Sequence, residues 1–249
     1  MWCSVGERIA LSTGERRVCL LTGAGGLLGD AFCRAYYQQY DIVAVCRGRT
    51  PAAPSQDEWY VDPLDPETPV PENDSRIHVL RAELLEPGEV ERVVDLTLAK
   101  FGRVDLLVNN AAYVSLQPRG VVDGETALDE FYTHMAVNVG VPLRFATRLA
   151  QRSWMHDNGE NRANNRNVVN ISSISGSNVY RGQTVYGTSK AALNQLTRAL
   201  AAEFAEFGVR VNALAPNSFP ALVPTERVAQ AITELDEGTM TGEVYSVGA

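Results

Sequence analysis

Along this chain, short apolar runs bounded by turn residues alternate with longer stretches in which apolar residues recur at helical spacing. Arg17-Val18-Cys19-Leu20-Leu21-Thr22 and Asp41-Ile42-Val43-Ala44-Val45-Cys46 are two of the runs, and others fall near residues 77–81, 104–109, 167–172 and 209–214. The periodic stretches between them read as helices near residues 27–39, 87–101, 125–151 and 186–207. A last helix and a seventh strand follow Pro216. This order predicts an α/β fold, a doubly wound parallel sheet of about seven strands in a single domain. Leu193, Leu196, Leu200, Phe204 and Phe207 form a stripe wide enough to cover the sheet and a neighbouring subunit as well.

Composition narrows the class without choosing an activity. A chain of 249 residues with 45% hydrophobic content can bury one large core. A net charge of −8 argues against nucleic acid or an anionic membrane as partner. The first sixteen residues lack the basic start and apolar core of a signal peptide, and no stretch reaches the ~18 apolar residues of a membrane span. The expectation is a cytoplasmic protein with an N-terminal extension, residues 1–16, ahead of a domain over residues 17–249. Within that domain, residues 50–75 form a proline-rich, acidic insertion in which Trp59 and Tyr60 supply anchors. Cys3, Cys19, Cys33 and Cys46 have neither disulfide nor metal spacing, and His78, His134 and His156 are unclustered, so no metal site is expected.

The chemistry concentrates in Tyr186-Gly187-Thr188-Ser189-Lys190. Four residues apart on a helix, the phenol of Tyr186 and the ammonium of Lys190 share one face. With two lysines and nine tyrosines in the chain, that spacing arises by chance roughly 0.07 times. The lysine charge favours tyrosinate, which suits a general acid/base. Ser173 ends the apolar run Asn167–Ile171, at the strand end where open α/β sheets bind ligands. Near the N-terminus the first strand runs into Gly23-Ala24-Gly25-Gly26-Leu27-Leu28-Gly29 and a helix, a turn able to lay a pyrophosphate on the helix N-terminus. After the second strand, Arg47 and Arg49 stand with no adjacent carboxylate in sequence, which suits a 2′-phosphate and points to NADP(H) over NAD(H), with Arg47 foremost.

Taken together with Asn109-Asn110-Ala111-Ala112, Val137-Asn138-Val139-Gly140 and Val211-Asn212-Ala213-Leu214-Ala215-Pro216, these motifs resemble those of a classical short-chain dehydrogenase/reductase from about Arg17 to Val247. The resemblance implies a Rossmann-type fold in which Tyr186 is the proton donor or acceptor and Ser173 steadies the substrate oxygen. It also implies that Lys190 binds the nicotinamide ribose and depresses the tyrosine pKa, and that Asn138 holds a water in the proton relay. The cofactor would then lie on Gly23, Gly25, Gly26, Leu27, Leu28 and Gly29, against Asn110, Ala111 and Pro216. Glu83, with Leu84 beside it, would replace an aspartate that contacts the adenine. A homodimer or homotetramer is the usual assembly in such a family.

Two departures qualify the match. Leu27 occupies the place of the second glycine, giving a spacing typical of extended members such as sugar-nucleotide epimerases and dehydratases, yet the chain has no room for their substrate domain. After Pro216, Asn217 replaces a glycine and the flap that closes over substrate is short, so a bulky, polar or carrier-tethered carbonyl or alcohol is expected. The reading is therefore an NADP(H)-dependent reductase interconverting a ketone or aldehyde and an alcohol. A non-catalytic nicotinamide-binding scaffold or sensor and a sugar-nucleotide-modifying enzyme are the alternatives.

Overall fold

The computed structural model describes residues 16–53, 55, 76–123 and 126–248; the first fifteen residues and most of the insertion, Trp59 and Tyr60 included, lie outside the described residues. Seven strands, β1 (Arg17–Thr22), β2 (Tyr40–Cys46), β3 (Ile77–Arg81), β4 (Leu106–Asn109), β5 (Asn167–Ile171), β6 (Arg210–Pro216) and β7 (Val244–Val247), form one parallel sheet in the order β3-β2-β1-β4-β5-β6-β7. The order reverses between β1 and β4, which opens a crevice at the carboxyl ends of those two strands.

The central strands β1, β4 and β5 are buried along their whole length because helices cover both faces. On one face, α1 (Leu27–Tyr36) and α7 (Thr225–Glu237) bury Leu28, Phe32, Val228 and Ile232 against Cys19, Leu21 and Ile42. On the other, α2 (Glu89–Phe101), α4 (Val141–Arg152) and α6 (Thr184–Phe204) bury Val93, Phe145, Leu149 and Leu200 against Leu20, Leu107 and Val168. Of the stripe expected here, Leu193, Leu200 and Phe204 are buried, and Leu196 and Phe207 are partly buried against the core. No helix among the described residues is long and apolar enough to cross a membrane.

The helix expected over residues 125–151 is present over residues 126–152, with a change of winding inside it. α3 (Thr126–Met135) passes through a wide π-type turn, Ala136–Gly140, into α4, and a short α5 (Asn158–Ala163) follows. Gly140 and Pro142 mark the joint: glycine weakens a helix interior, and proline lacks the amide that a continuous helix needs. Wide turns of this type are rare and gather at functional sites, and Asn138 lies inside this one.

At the amino ends of the strands, away from the crevice, a buried polar network joins distant parts of the chain. The Arg17 guanidinium grips Asp236 of α7 through two hydrogen bonds of 2.9 and 2.8 Å, and the Tyr40 hydroxyl donates to the same carboxylate at 2.9 Å. Arg210 donates to the Asp236 carbonyl at 2.8 Å. Burying these charges is tolerable only because each is paired and hydrogen-bonded.

Candidate active site

The glycine turn after β1 is shaped by close backbone approach. A Cβ on Gly23, whose φ is +65°, would lie 2.8 Å from the Ala111 Cα, and one on Gly29 would lie 2.6 Å from the Ala24 Cα. Asn110, just past β4, locks the two strand ends together by donating to the carbonyls of Thr22 (3.1 Å) and Gly23 (3.0 Å). The Thr22 hydroxyl accepts from the amides of Asn110 and Ala111, each at 3.0 Å. Above the turn lies a cleft of about 500 Å³ bounded by Gly23, Gly26, Leu27, Leu28, Asn110 and Ala111 at one end and by Arg47, Glu83 and Leu84 at the other. No side chain caps the first turn of α1, which opens on this cleft, so its amides suit an anion.

Three of the residues expected at the cofactor lie outside the walls of this cleft. Gly25 does not line the cleft: a Cβ there would lie 1.7 Å from the Arg49 carbonyl oxygen, because the chain after β2 folds down onto the turn. Gly29 packs on Ala24 instead. Pro216 lines the neighbouring cavity. Leu27 remains 49% exposed and stands at the wall of the cleft.

The two arginines after β2 also part company. Arg49 donates to the Gly25 carbonyl and so braces the turn. Arg47 has its side chain 82% exposed and forms a loose ion pair with Glu83 at 3.6 Å. A carboxylate is thus adjacent in space although absent from the local sequence. Parallel pairing of Cys46 with Arg81 brings the two strand ends together. The same register presents Arg81, whose guanidinium donates to the Gly48 carbonyl at 2.7 Å.

A second cavity, about 330 Å³, adjoins the cleft, with Ser173, Tyr186, Gln183 and Pro216 in its walls; Phe219 lines both spaces. Burial raises the Tyr186 pKa above its usual value, and a hydrogen bond with Ser173 pulls it part of the way back. Lys190 is buried beneath the tyrosine ring, its Nζ 5.7 Å from the ring centroid and donating to the Ile171 carbonyl at 2.8 Å. Desolvation brings the lysine down to about 8. The lowering contribution at Tyr186 thus comes from Ser173, and burial outweighs it. Ser172, which the motif reading passed over, holds α6 in place through Asn194 at 2.6 Å.

Asn138 serves as a clamp. Its Oδ1 accepts from the Tyr113 amide at 2.8 Å, and its Nδ2 donates to the Tyr113 carbonyl at 3.0 Å and to the Ser189 hydroxyl at 2.9 Å. Both ends of the side-chain amide are thus bonded within the protein. One and two turns earlier on the same face, His134 Nε2 accepts from the Ser115 amide at 3.2 Å, and Glu130 accepts from the Ser115 hydroxyl at 2.7 Å and from Gln117 at 3.0 Å. The Nδ1 proton of His134 goes to the Glu130 carbonyl at 2.7 Å. Three side chains spaced by four therefore fix the loop that leads from the cofactor cleft to the substrate cavity. The spacing was visible in the sequence, but nothing there showed what it faced.

Comparison with known proteins gives the same picture. The sequence model for short chain dehydrogenases matches residues 17–231. An uncharacterized oxidoreductase of Thermotoga maritima is 37% identical over 52% of this chain and 47% of its own length. The 2-(R)-hydroxypropyl-CoM dehydrogenase of Xanthobacter autotrophicus is 28% identical over 80% of this chain and 73% of its own. Among solved structures, a short chain dehydrogenase from Mycobacterium smegmatis superposes with a TM-score of 0.75 at 25% identity, covering 99% of this chain and 98% of that one. With its reversed parallel sheet and its glycine turn, this chain belongs to the short-chain dehydrogenase family of nicotinamide-dependent oxidoreductases.

Proposed function

We propose that the protein is an NADP(H)-dependent carbonyl reductase that interconverts a ketone or aldehyde and an alcohol. The observation that carries this reading is the convergence of Ser173 and Tyr186, with Lys190 buried behind the tyrosine ring, at the cavity that meets the glycine-turn cleft at Phe219. When bound, the nicotinamide supplies or accepts the hydride. The uncapped start of α1 would hold the pyrophosphate end, and Arg47 would take a 2′-phosphate by leaving Glu83.

The phenol of Tyr186, kept protonated by burial, suits donation to a substrate oxygen as it gains negative charge. The Ser173 hydroxyl fixes that oxygen beside the phenol. Lys190, held on the Ile171 carbonyl, brings a cation to the floor of the site without facing solvent. A protonated phenol favours the reducing direction near neutral pH. Asn138 acts on the chemistry through the loop it clamps.

The test is titration with NADPH and NADH, then a panel of carbonyl compounds followed by cofactor absorbance, with Tyr186→Phe as control. Tighter NADPH binding, and turnover at least 100-fold lower in Tyr186→Phe, is the expected result. Preference for NADH would overturn the cofactor assignment, and full activity in Tyr186→Phe would overturn the catalytic one.

A further inference from the structure

The cavity holding Ser173 and Tyr186 does not stop at its outer wall. On the far side lies a groove of about 300 Å³ along the first turns of α6, and Ser175, Tyr180 and Gln183 line both spaces. The groove exists because the turn Ile174–Gly176 lies directly on α6: a Cβ on Gly176 would be 2.8 Å from the Lys190 backbone, and one on Gly187 would be 2.8 Å from the Ser175 carbonyl. A glycine on each side of this close approach gives a low floor, and residues from Ser177 to Tyr180 line the groove beside it.

A line of hydroxyl and amide groups connects the reacting end to this groove. The Ser173 hydroxyl donates to Ser175 at 3.2 Å, and Ser175 donates in turn to the Gln183 side-chain carbonyl. Farther out, Ser177, Asn178, Thr184 and Thr188 line the groove. Apart from the Thr188 hydroxyl, which donates to the Thr184 carbonyl at 2.7 Å, these side chains make no hydrogen bond to the described residues and are free to meet a ligand. Tyr180, 40% exposed, supplies an aromatic edge. Among the described residues, no Asp, Glu, Lys or Arg lines either space.

We propose that the outer groove is the second half of the substrate site, and that it takes an uncharged, hydrogen-bonding arm carried by the reactive carbonyl compound. The assignment rests on the reductase reading for the inner half, and the chemistry of the lining decides the arm. A charged arm would find no counter-ion, and a plain alkyl arm would strand hydroxyls and an amide that water now satisfies. A chain of hydroxyl groups meets donors and acceptors at Ser177, Asn178, Gln183 and Thr184, with the Tyr180 ring beside it and Val179 and Ala191 left for its carbon skeleton.

Four matched amides test this: acetoacetamide, and its N-hexyl, N-(5-carboxypentyl) and N-(polyhydroxyhexyl) derivatives. Binding of each to the cofactor-loaded protein is measured by calorimetry, for the wild type, for Thr188→Trp, which fills the groove from an exposed position, and for Asn178→Ala. The polyhydroxy amide is expected to bind at least 10-fold more tightly than the other three. Thr188→Trp should abolish that advantage and Asn178→Ala reduce it about 3-fold. The proposal is overturned if the hexyl or carboxypentyl amide binds as well, if no amide binds, or if the advantage survives in Thr188→Trp. Hydride transfer followed in the same samples is a separate readout: binding as expected without any turnover would count against the reductase reading and leave the groove assignment standing.

Discussion

The ammonium of Lys190 donates to the carbonyl of Ile171 at 2.8 Å, within the protein and beneath the ring of Tyr186. Desolvation lowers its pKa to about 8, from the 10.5 of an exposed lysine. Between those values the unfolded chain holds a proton that the folded chain has released, so this residue makes stability rise with pH across that window and adds nothing further below it. Relative to Lys190→Met, the wild type should gain about 3 kcal/mol as the pH goes from 8 to 10.5. Urea midpoints of both proteins at several pH values check this, and a constant difference between them would contradict it.

Arg47 is held loosely by Glu83 at 3.6 Å on an exposed edge. Its replacement by alanine should weaken NADPH binding at least 10-fold, which is about 1.4 kcal/mol, and leave NADH nearly unaffected. Glu83→Gln, which frees the guanidinium, should shift preference further toward NADPH. Paired dissociation constants for the two cofactors decide, and equal losses for both after Arg47→Ala would remove it from 2′-phosphate recognition.

Leu27 presents an apolar side chain to a cleft otherwise lined there by glycine and backbone. Leu27→Gly should tighten cofactor binding by opening the turn, while costing about 1 kcal/mol in the first turn of α1. Calorimetry with NADPH and a thermal melt separate the two effects. Weaker binding in the variant would identify Leu27 as a wall that the cofactor leans on.

Asp236 is buried and takes hydrogen bonds from Arg17 and Tyr40. Asp236→Ala leaves a buried guanidinium without its partner, at a cost of about 3–5 kcal/mol. The melting temperature should fall by roughly 10 °C. A loss below about 1 kcal/mol would mean that water replaces the carboxylate.

Much of this architecture could be read from the sequence, and the exceptions share a cause. Tyr186 and Lys190 were recognisable because helical spacing alone brings them together, and the glycine turn because it punctuates a strand and a helix. Glu83 beside Arg47 was hidden because their proximity depends on the register of two neighbouring strands joined by a long insertion. Gly25 looked like a ligand-facing glycine, yet a carbonyl from the chain beyond β2 occupies the space where its side chain would be. Asn138 stood out by its motif, but its bonds to Tyr113 follow from a wide turn that tertiary packing imposes. Gly140 and Pro142 were the signal for that turn, and the strong apolar periodicity on either side masked it.

The pairing of Arg17 with Asp236 spans 219 positions along the chain. While the polypeptide is being synthesised, β1 emerges with a guanidinium whose partner has yet to be made, and it keeps that charge hydrated until α7 arrives. Docking of α7 therefore completes the first strand as well as the last layer, and a nascent chain arrested before Asp236 should remain open to proteases at its amino-terminal half.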